Sequence, residues 1–250
     1  MLASFVMSFH SRRIDNVTQV VRFLKHYHSD VIAKSEIIFL CQDQCGCIDT
    51  GFAESHMVNL RLDCMQKCKA INHGVHIAKA EKIILIDSDR ILPAGYYNQV
   101  LNDLTPDKAI TARITHRLLQ PVGDADIFSA NYSYIEEHRS ESNQPYARNL
   151  FAGNVAFFKS TFFSVGGMDE SYIGYGFEDS DMTMKIIHSG VKPIFRPEIE
   201  LHLYHEPMTY GHQDQKVLFL KNGIRYCKNW NIPIPATLQE EINEYTGRLL

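Results

Sequence analysis

At 250 residues the chain has room for one large domain with a substantial core. With 45% apolar residues, 22% charged residues and a net charge of −4, it carries no global positive field to draw nucleic acid or an anionic membrane. No run approaches the ~20 apolar residues of a spanning helix, so nucleic acid is not expected as a partner and membrane contact is expected at most peripherally.

The opening stretch, residues 1–10, has no basic start ahead of its apolar residues and no small-residue cleavage site. Residues 3–9 therefore predict a first strand, not an export leader. Asp15-Asn16 is placed to cap a helix in which Ile14, Val17, Val21 and Leu24 recur at helical spacing. A short apolar strand is expected over 36–41, running into the polar Gln42-Asp43-Gln44. A helix over about 63–80 and a strand over 82–86 follow. Strands separated by helices predict right-handed βαβ units and a mostly parallel α/β sheet. Ligands gather at the carboxyl ends of such strands, where His10, Asp43 and Asp87 fall.

Six cysteines are present, five of them between Cys41 and Cys68. The spacing Cys41-x3-Cys45-x-Cys47, then Cys64-x3-Cys68, lacks the paired CxxC of a structural zinc site. Without an export leader they read as reduced thiols of a cytoplasmic protein, some simply buried.

The second half predicts a strand over 109–115, then a polar stretch over 119–149 that reads as a loop or lid. A strand over 151–158 leads to a short helix over 160–165, stopped by Gly166-Gly167. A helix over 181–188 and short strands at 194–195 and 200–204 come next. Val217, Leu220, Ile224 and Cys227 mark an amphipathic helix starting near 213, and 237–250 suggests another. No repeat or linker interrupts the chain, which predicts one domain over 1–207 with a C-terminal helical extension over 208–250.

Two acidic groups stand out. The apolar strand Lys82-Ile83-Ile84-Leu85-Ile86 ends in Asp87-Ser88-Asp89, which places two carboxylates at the mouth of a sheet, where they can hold a divalent metal against phosphate oxygens. A solvated turn is the plain alternative. Some ninety residues on, Glu178-Asp179-Ser180-Asp181 lies just ahead of a helix. Capping accounts for Ser180 and Asp181, but not for four consecutive polar residues after Gly174-Tyr175-Gly176-Phe177, where glycines let backbone bend close to a ligand and Tyr175 offers a flat face to a sugar ring. In 201–205 the alternation puts His202 and Tyr204 on one strand face, Leu203 and His205 on the other.

Asn72-His73-Gly74, the strand ending at Asp89, the segment 152–170 with its Gly-Gly-Met-Asp-Glu, and Gly174 through Asp181 together resemble nucleotide-sugar glycosyltransferases of the GT-A fold. The relatives in view are family 2 enzymes and the galactosyltransferase and chondroitin-polymerase groups, which build polysaccharides and other glycans. The resemblance spans roughly 3–207. It implies that Asp87 and Asp89 hold the donor's ribose and diphosphate together with Mn2+ (or Mg2+), with Asp89 a direct ligand, His205 completing the metal site and His202 in reserve. It implies nucleotide contacts from His10, Arg12 and Asp43, a close approach to the donor sugar at Gly153, an acceptor contact from Glu178, and Asp179 as the catalytic base. Tyr175 stands where relatives often have Trp, and Ile71 where many have Arg.

The expected activity is transfer, with inversion, of a sugar from a UDP-type donor to a hydroxyl of a carbohydrate acceptor. A non-catalytic nucleotide-sugar-binding module of the same fold, and a metal-dependent phosphohydrolase using Asp87 and Asp89, are the alternatives.

Overall fold

The computed structural model describes residues 1–46, 52–118, 140–143, 149–151, 153–205 and 213–247. The first third holds the strands and helices that the sequence predicts, with α2 and β3 in addition: β1 (Ser4–Phe9), a 3-10 turn (Ser11–Arg13), α1 (Ile14–Tyr27), α2 (Ser29–Ile32), β2 (Glu36–Cys41), β3 (Ser55–Asn59), α3 (Lys67–Ile77) and β4 (Lys82–Asp87). Then come β5 (Arg90–Ile91), α4 (Tyr96–Asp103), β6 (Lys108–Leu118), β7 (Ser140–Asn143), β8 (Val155–Phe158) and α5 (Lys159–Ser164). The chain closes with α6 (Glu178–His188), β9 (Lys192–His202), α7 (Gln213–Asn229) and α8 (Ala236–Gly247).

The strands form one sheet in the order β3-β2-β1-β4-β8-β6-β9-β5, with β7 paired to β6. The first four strands are parallel. Strand β8 runs antiparallel to both β4 and β6, β9 runs parallel to β6, and β5 runs antiparallel to β9. Side chains alternate between two cores. Phe5, Met7, Ile84 and Ile86 pack with Val17 and Val21 of α1 and Tyr97 of α4 on one face. Val6, Ile83 and Leu85 pack with Ile71 and Val75 of α3 and Ile186 of α6 on the other. Both faces are covered, which is why the central strands read as unbroken apolar runs.

Several boundaries differ from the sequence reading. Helix α1 opens at Ile14 with Arg13 as its cap and no side-chain cap bond, so Asp15-Asn16 does not cap it; Asp15 lies in the first turn, where the helix dipole favours an acid. Helix α3 is shorter at both ends than 63–80. The two short strands expected at 194–195 and 200–204 are one strand, β9. Pro193 and Pro197 hid its continuity; the register shift opposite β6, between Ala112 and Ile114, absorbs Pro197, which has no N–H for the ladder. Strands β3 and β5 and helix α4 lacked an apolar rhythm strong enough to be read. Most of the stretch 119–149 expected as a lid lies outside the described residues, as does the end of the helix expected over 237–250. Among the described residues no helix is long and apolar enough to cross a membrane.

Candidate active site

The tips of β1 and β2 meet at Asp43. Its Oδ1 accepts from Ser11 N at 2.8 Å and from Cys41 Sγ at 3.2 Å, its Oδ2 accepts from the Ser11 hydroxyl, and His10 Nδ1 stands 3.3 Å from Oδ2. Burial alone would raise the Asp43 pKa, but the two Ser11 donors outweigh it and bring it down to about 2. Burial lowers the pKa of His10, against the pull of Asp43. Arg12 is exposed in the 3-10 turn. Its neighbour Arg13 is half-buried and feels the charge of Asp89.

One strand further in, β4 ends and two acids part company. Antiparallel pairing of Arg90 with His202, together with a 2.7 Å bond from Leu203 N to Asp89 O, brings the end of β9 against Asp89. Asn16 of α1 adds a tether, its Nδ2 donating to Tyr204 O at 3.2 Å. Strand β9 stops at His202, so the alternation expected through 204 breaks and both rings turn to the same side. His202 Nε2 and His205 Nε2 lie 3.0 Å apart, and 3.4 and 3.2 Å from Asp89 Oδ2. Burial works against charge on Asp89, but the two histidines outweigh it and hold its carboxyl well below the usual range. Two imidazole nitrogens and a carboxylate oxygen, all within 4.8 Å of one another, form a donor set suited to a divalent first-row cation.

Asp87 faces the other way. Its backbone N–H donates to Asn154 Oδ1 at 3.1 Å, and its Oδ1 lies 3.7 Å from Lys67 Nζ. The same ammonium donates to both oxygens of Asp179, at 2.9 and 3.1 Å. Asp179 sits here because α6 starts at Glu178, three residues earlier than expected: Gly174, Gly176 and Phe177 all take left-handed backbone angles, and Phe177 at φ 70° turns the chain directly into the helix. Neither Ser180 nor Asp181 caps that helix. Burial pushes the Asp179 pKa up to about 7; Lys67 opposes the rise, while Glu178 and Asp87 add to it. Lys67 is held charged despite burial by Asp179, Asp87 and Glu178. One cation is thus shared among three carboxylates, Asp179, Asp87 and Glu178. A pocket between β1, α3, β4 and α6 is lined by Ser8, Lys67, Ile71, Asp87, Gly153 and Asp179.

Below this pocket, Glu200 is buried and accepts from Asn154 N (3.0 Å) and Arg90 Nη1 (3.1 Å). A Cβ at Gly153 would lie 2.5 Å from Glu200 Oε2, so the glycine is what lets the chain ahead of β8 pass over that carboxylate. Above it, Tyr175 is 46% exposed, and its ring stacks on Phe219 of α7 at 6.3 Å and 15°. Helix α7 is bound to the α6 segment by Trp230 Nε1 donating to Asp181 (2.9 Å) and Asn222 Nδ2 donating to Ile173 O (2.9 Å). Glu178 is buried, and its Oε2 has no hydrogen-bond partner among the described residues.

Of the residues singled out in the sequence, Asp87, Gly153 and Asp179 line one pocket, Asp89 and His205 meet beside it with His202, and His10 meets Asp43. Sequence reasoning missed Lys67 and the Arg90–Glu200 pair. Nothing in the spacing marks Arg90 and Glu200, and Lys67 falls at the first position of its helix, where a lysine opposes the dipole, only because the helix starts at 67 and not near 63 as expected. Cys41 and Cys68, the two ends of the cysteine group, belong to opposite cores, and burial pushes both thiols up.

Residues 135–210 match a family model described as the N-terminal domain of galactosyltransferase. No curated protein matches the chain significantly. Among solved structures, GalNAc-T7 with UDP, GalNAc and Mn2+ superposes with a TM-score of 0.62 at 17% identity, over 90% of this chain and 47% of that protein, so the chain spans about half its length. The mannosyltransferase PcManGT from Pyrobaculum calidifontis, in complex with GDP-Man and Mn2+, gives 0.56 at 12% identity over 98% and 68% of the two chains. The catalytic domain of Drosophila β1,4-galactosyltransferase 7, complexed with xylobiose, gives 0.51 at 15% identity over 81% and 71%. The GT-A fold expected from the resemblance is the fold found, and the matched segment agrees with a glycosyltransferase.

Proposed function

We propose that the chain is an inverting, metal-dependent glycosyltransferase that moves a sugar from a UDP-linked donor to a hydroxyl of a glycan acceptor. The observation that carries this reading is the division of work between two acids two residues apart: Asp89 faces His202 and His205, while Asp87 shares Lys67 with Asp179. A simple binding module has no use for a second, separately held carboxylate, and Arg90 and Ile91 follow Asp89 where a phosphohydrolase built on Asp87 and Asp89 would be expected to carry a hydroxyl.

Asp89, His202 and His205 would hold the divalent ion, Mn2+ in the solved neighbours named above. Such an ion, when bound, supplies Lewis-acid neutralisation of the leaving diphosphate. Asp43, held ionised and oriented by Ser11, is set to accept hydrogen bonds from the uracil or ribose, with His10 and Arg12 alongside. Gly153 presents its backbone to the donor sugar beside Asp87, at the pocket wall. Asp179 takes the proton of the acceptor hydroxyl as that oxygen bonds to the anomeric carbon. The bond from that carbon to the diphosphate oxygen breaks with its electron pair leaving on the nucleoside diphosphate, through an oxocarbenium-like state. A single displacement of this kind inverts configuration. The exposed face of Tyr175 and the carboxylate of Glu178 serve the acceptor. The free cysteines among the described residues support a reducing, cytoplasmic setting.

A panel of nucleotide sugars with Mn2+ tests the reading, through thermal stabilisation and through sugar transfer to glycan acceptors. A UDP-sugar is expected to raise Tm only with the metal present and to release UDP when an acceptor is added. Phosphate release from simple esters without an acceptor, or stabilisation with no turnover on any acceptor, refutes it.

A further inference from the structure

We infer that Lys67 is a positioning residue that orients the Asp179 carboxylate, favours its ionised form, and couples it to Asp87 on the donor side. The inference rests on the proposed function for its catalytic meaning, but its physical content is an ion pair that can be measured without turnover.

Three observations point to it. Lys67 Nζ reaches both oxygens of Asp179, at 2.9 and 3.1 Å, which fixes the plane of the carboxylate as well as its place. The same ammonium lies 3.7 Å from Asp87, on the strand that leads to the histidine-facing acid. Lys67 also occupies the first position of α3, where the positive end of the dipole repels it and no acid occupies the first turn. A local preference broken at a partly buried place, where Asp179 and Asp87 offset the cost, is what functional sites show.

The backbone around Lys67 is fixed from two sides. Gln66 N donates to Gln42 Oε1 at 2.8 Å, just past β2. Gly174 N donates to Met65 O at 2.8 Å, tying the start of α3 to the loop that delivers Asp179. The charged and titratable groups facing Asp179 are Lys67 and the Cys68 thiol on α3, Asp87 on β4 and Glu178 on its own helix. Among the described residues Lys67 is the one cation of that set. Without it, burial and two neighbouring carboxylates act on Asp179 unopposed, and the base would be protonated at neutral pH.

The test compares wild type, Lys67→Met and Lys67→Arg by 13C NMR titration of aspartate-labelled protein, with Asp179→Asn identifying the resonance, alongside the pH profile of kcat/KM and UDP binding with Mn2+. In Lys67→Met the Asp179 midpoint is expected to rise by about 1–3 pH units. Transfer at pH 7 falls by about tenfold per unit and recovers as the pH is raised, with UDP binding retained. Lys67→Arg returns the midpoint to near its wild-type value. Should Lys67→Met fail to fold, Lys67→Gln, which keeps an N–H donor without the charge, carries the same readouts. An unchanged midpoint overturns the inference, and an unchanged midpoint with lost UDP binding makes Lys67 a donor contact instead. A shifted midpoint in a protein that transfers no sugar upholds the pairing and rejects the proposed function alone.

Discussion

Gly176→Ala puts a number on the loop that delivers Asp179. Gly176 adopts φ +107°, and a Cβ there would stand 2.6 Å from Phe219 Cε2 and closer still to Cδ2. The ring has little room to retreat, because it packs against Tyr175 at 6.3 Å on one side and Phe177 at 5.2 Å on the other. A side chain in left-handed backbone costs about 1–2 kcal/mol, and overpacking adds about 1–3 kcal/mol. The substitution should therefore destabilise by roughly 2–5 kcal/mol, a large share of a total of ~5–15 kcal/mol. Gly190→Ala isolates the first contribution, since Gly190 has φ +84° and an added methyl there would meet nothing within 4 Å. Urea midpoints at constant m measure both. Adding Phe219→Ala to Gly176→Ala should recover at least about 1 kcal/mol relative to the sum of the single changes. If Gly176→Ala and Gly190→Ala agree within about 0.5 kcal/mol, Phe219 does not clamp this loop and the reasoning fails.

Removing His202 should weaken Mn2+ binding as much as removing His205, by at least about 100-fold in calorimetric titration; wild-type affinity in His202→Ala would reduce the triad to a pair. The lowered pKa of Asp43 stabilises the fold above pH 3.8 and ceases to do so as pH falls toward about 2. Asp43 is 27% exposed, so after allowance for solvent Asp43→Asn should cost about 1–2 kcal/mol at pH 7, with the gap to wild type closing below about pH 4; a pH-independent gap contradicts its origin in the Ser11 hydrogen bonds to the ionised carboxylate. Trp230→Phe removes a donor to the buried Asp181 and should cost about 1.5–3 kcal/mol by chemical denaturation. An unchanged midpoint would mean that α7 does not depend on that anchor. Because Asp179 titrates at about 7, transfer should fall as pH drops below that value, and a profile flat to pH 5 would remove it from the base role.

The sheet was legible where chemistry is repetitive. Both cores press on β1, β2 and β4, so those strands could only be apolar runs, and the acids at their ends marked the ligand side. The metal triad was half legible. His205 came from resemblance, but the meeting of His202 with it depends on β9 ending at His202, and alternation alone predicted opposite faces. Strand β9 itself was split by Pro197, whose bulge is a property of the pairing with β6 and not of local sequence. Lys67 was illegible as a partner because 112 residues separate it from Asp179, and only the tertiary fold closes that distance.

The most direct measurement pairs UDP binding with turnover in Asp179→Asn. The account predicts Mn2+-dependent UDP affinity equal to wild type, with sugar transfer reduced by about 10²–10⁴. Turnover at the wild-type rate in that variant would contradict it.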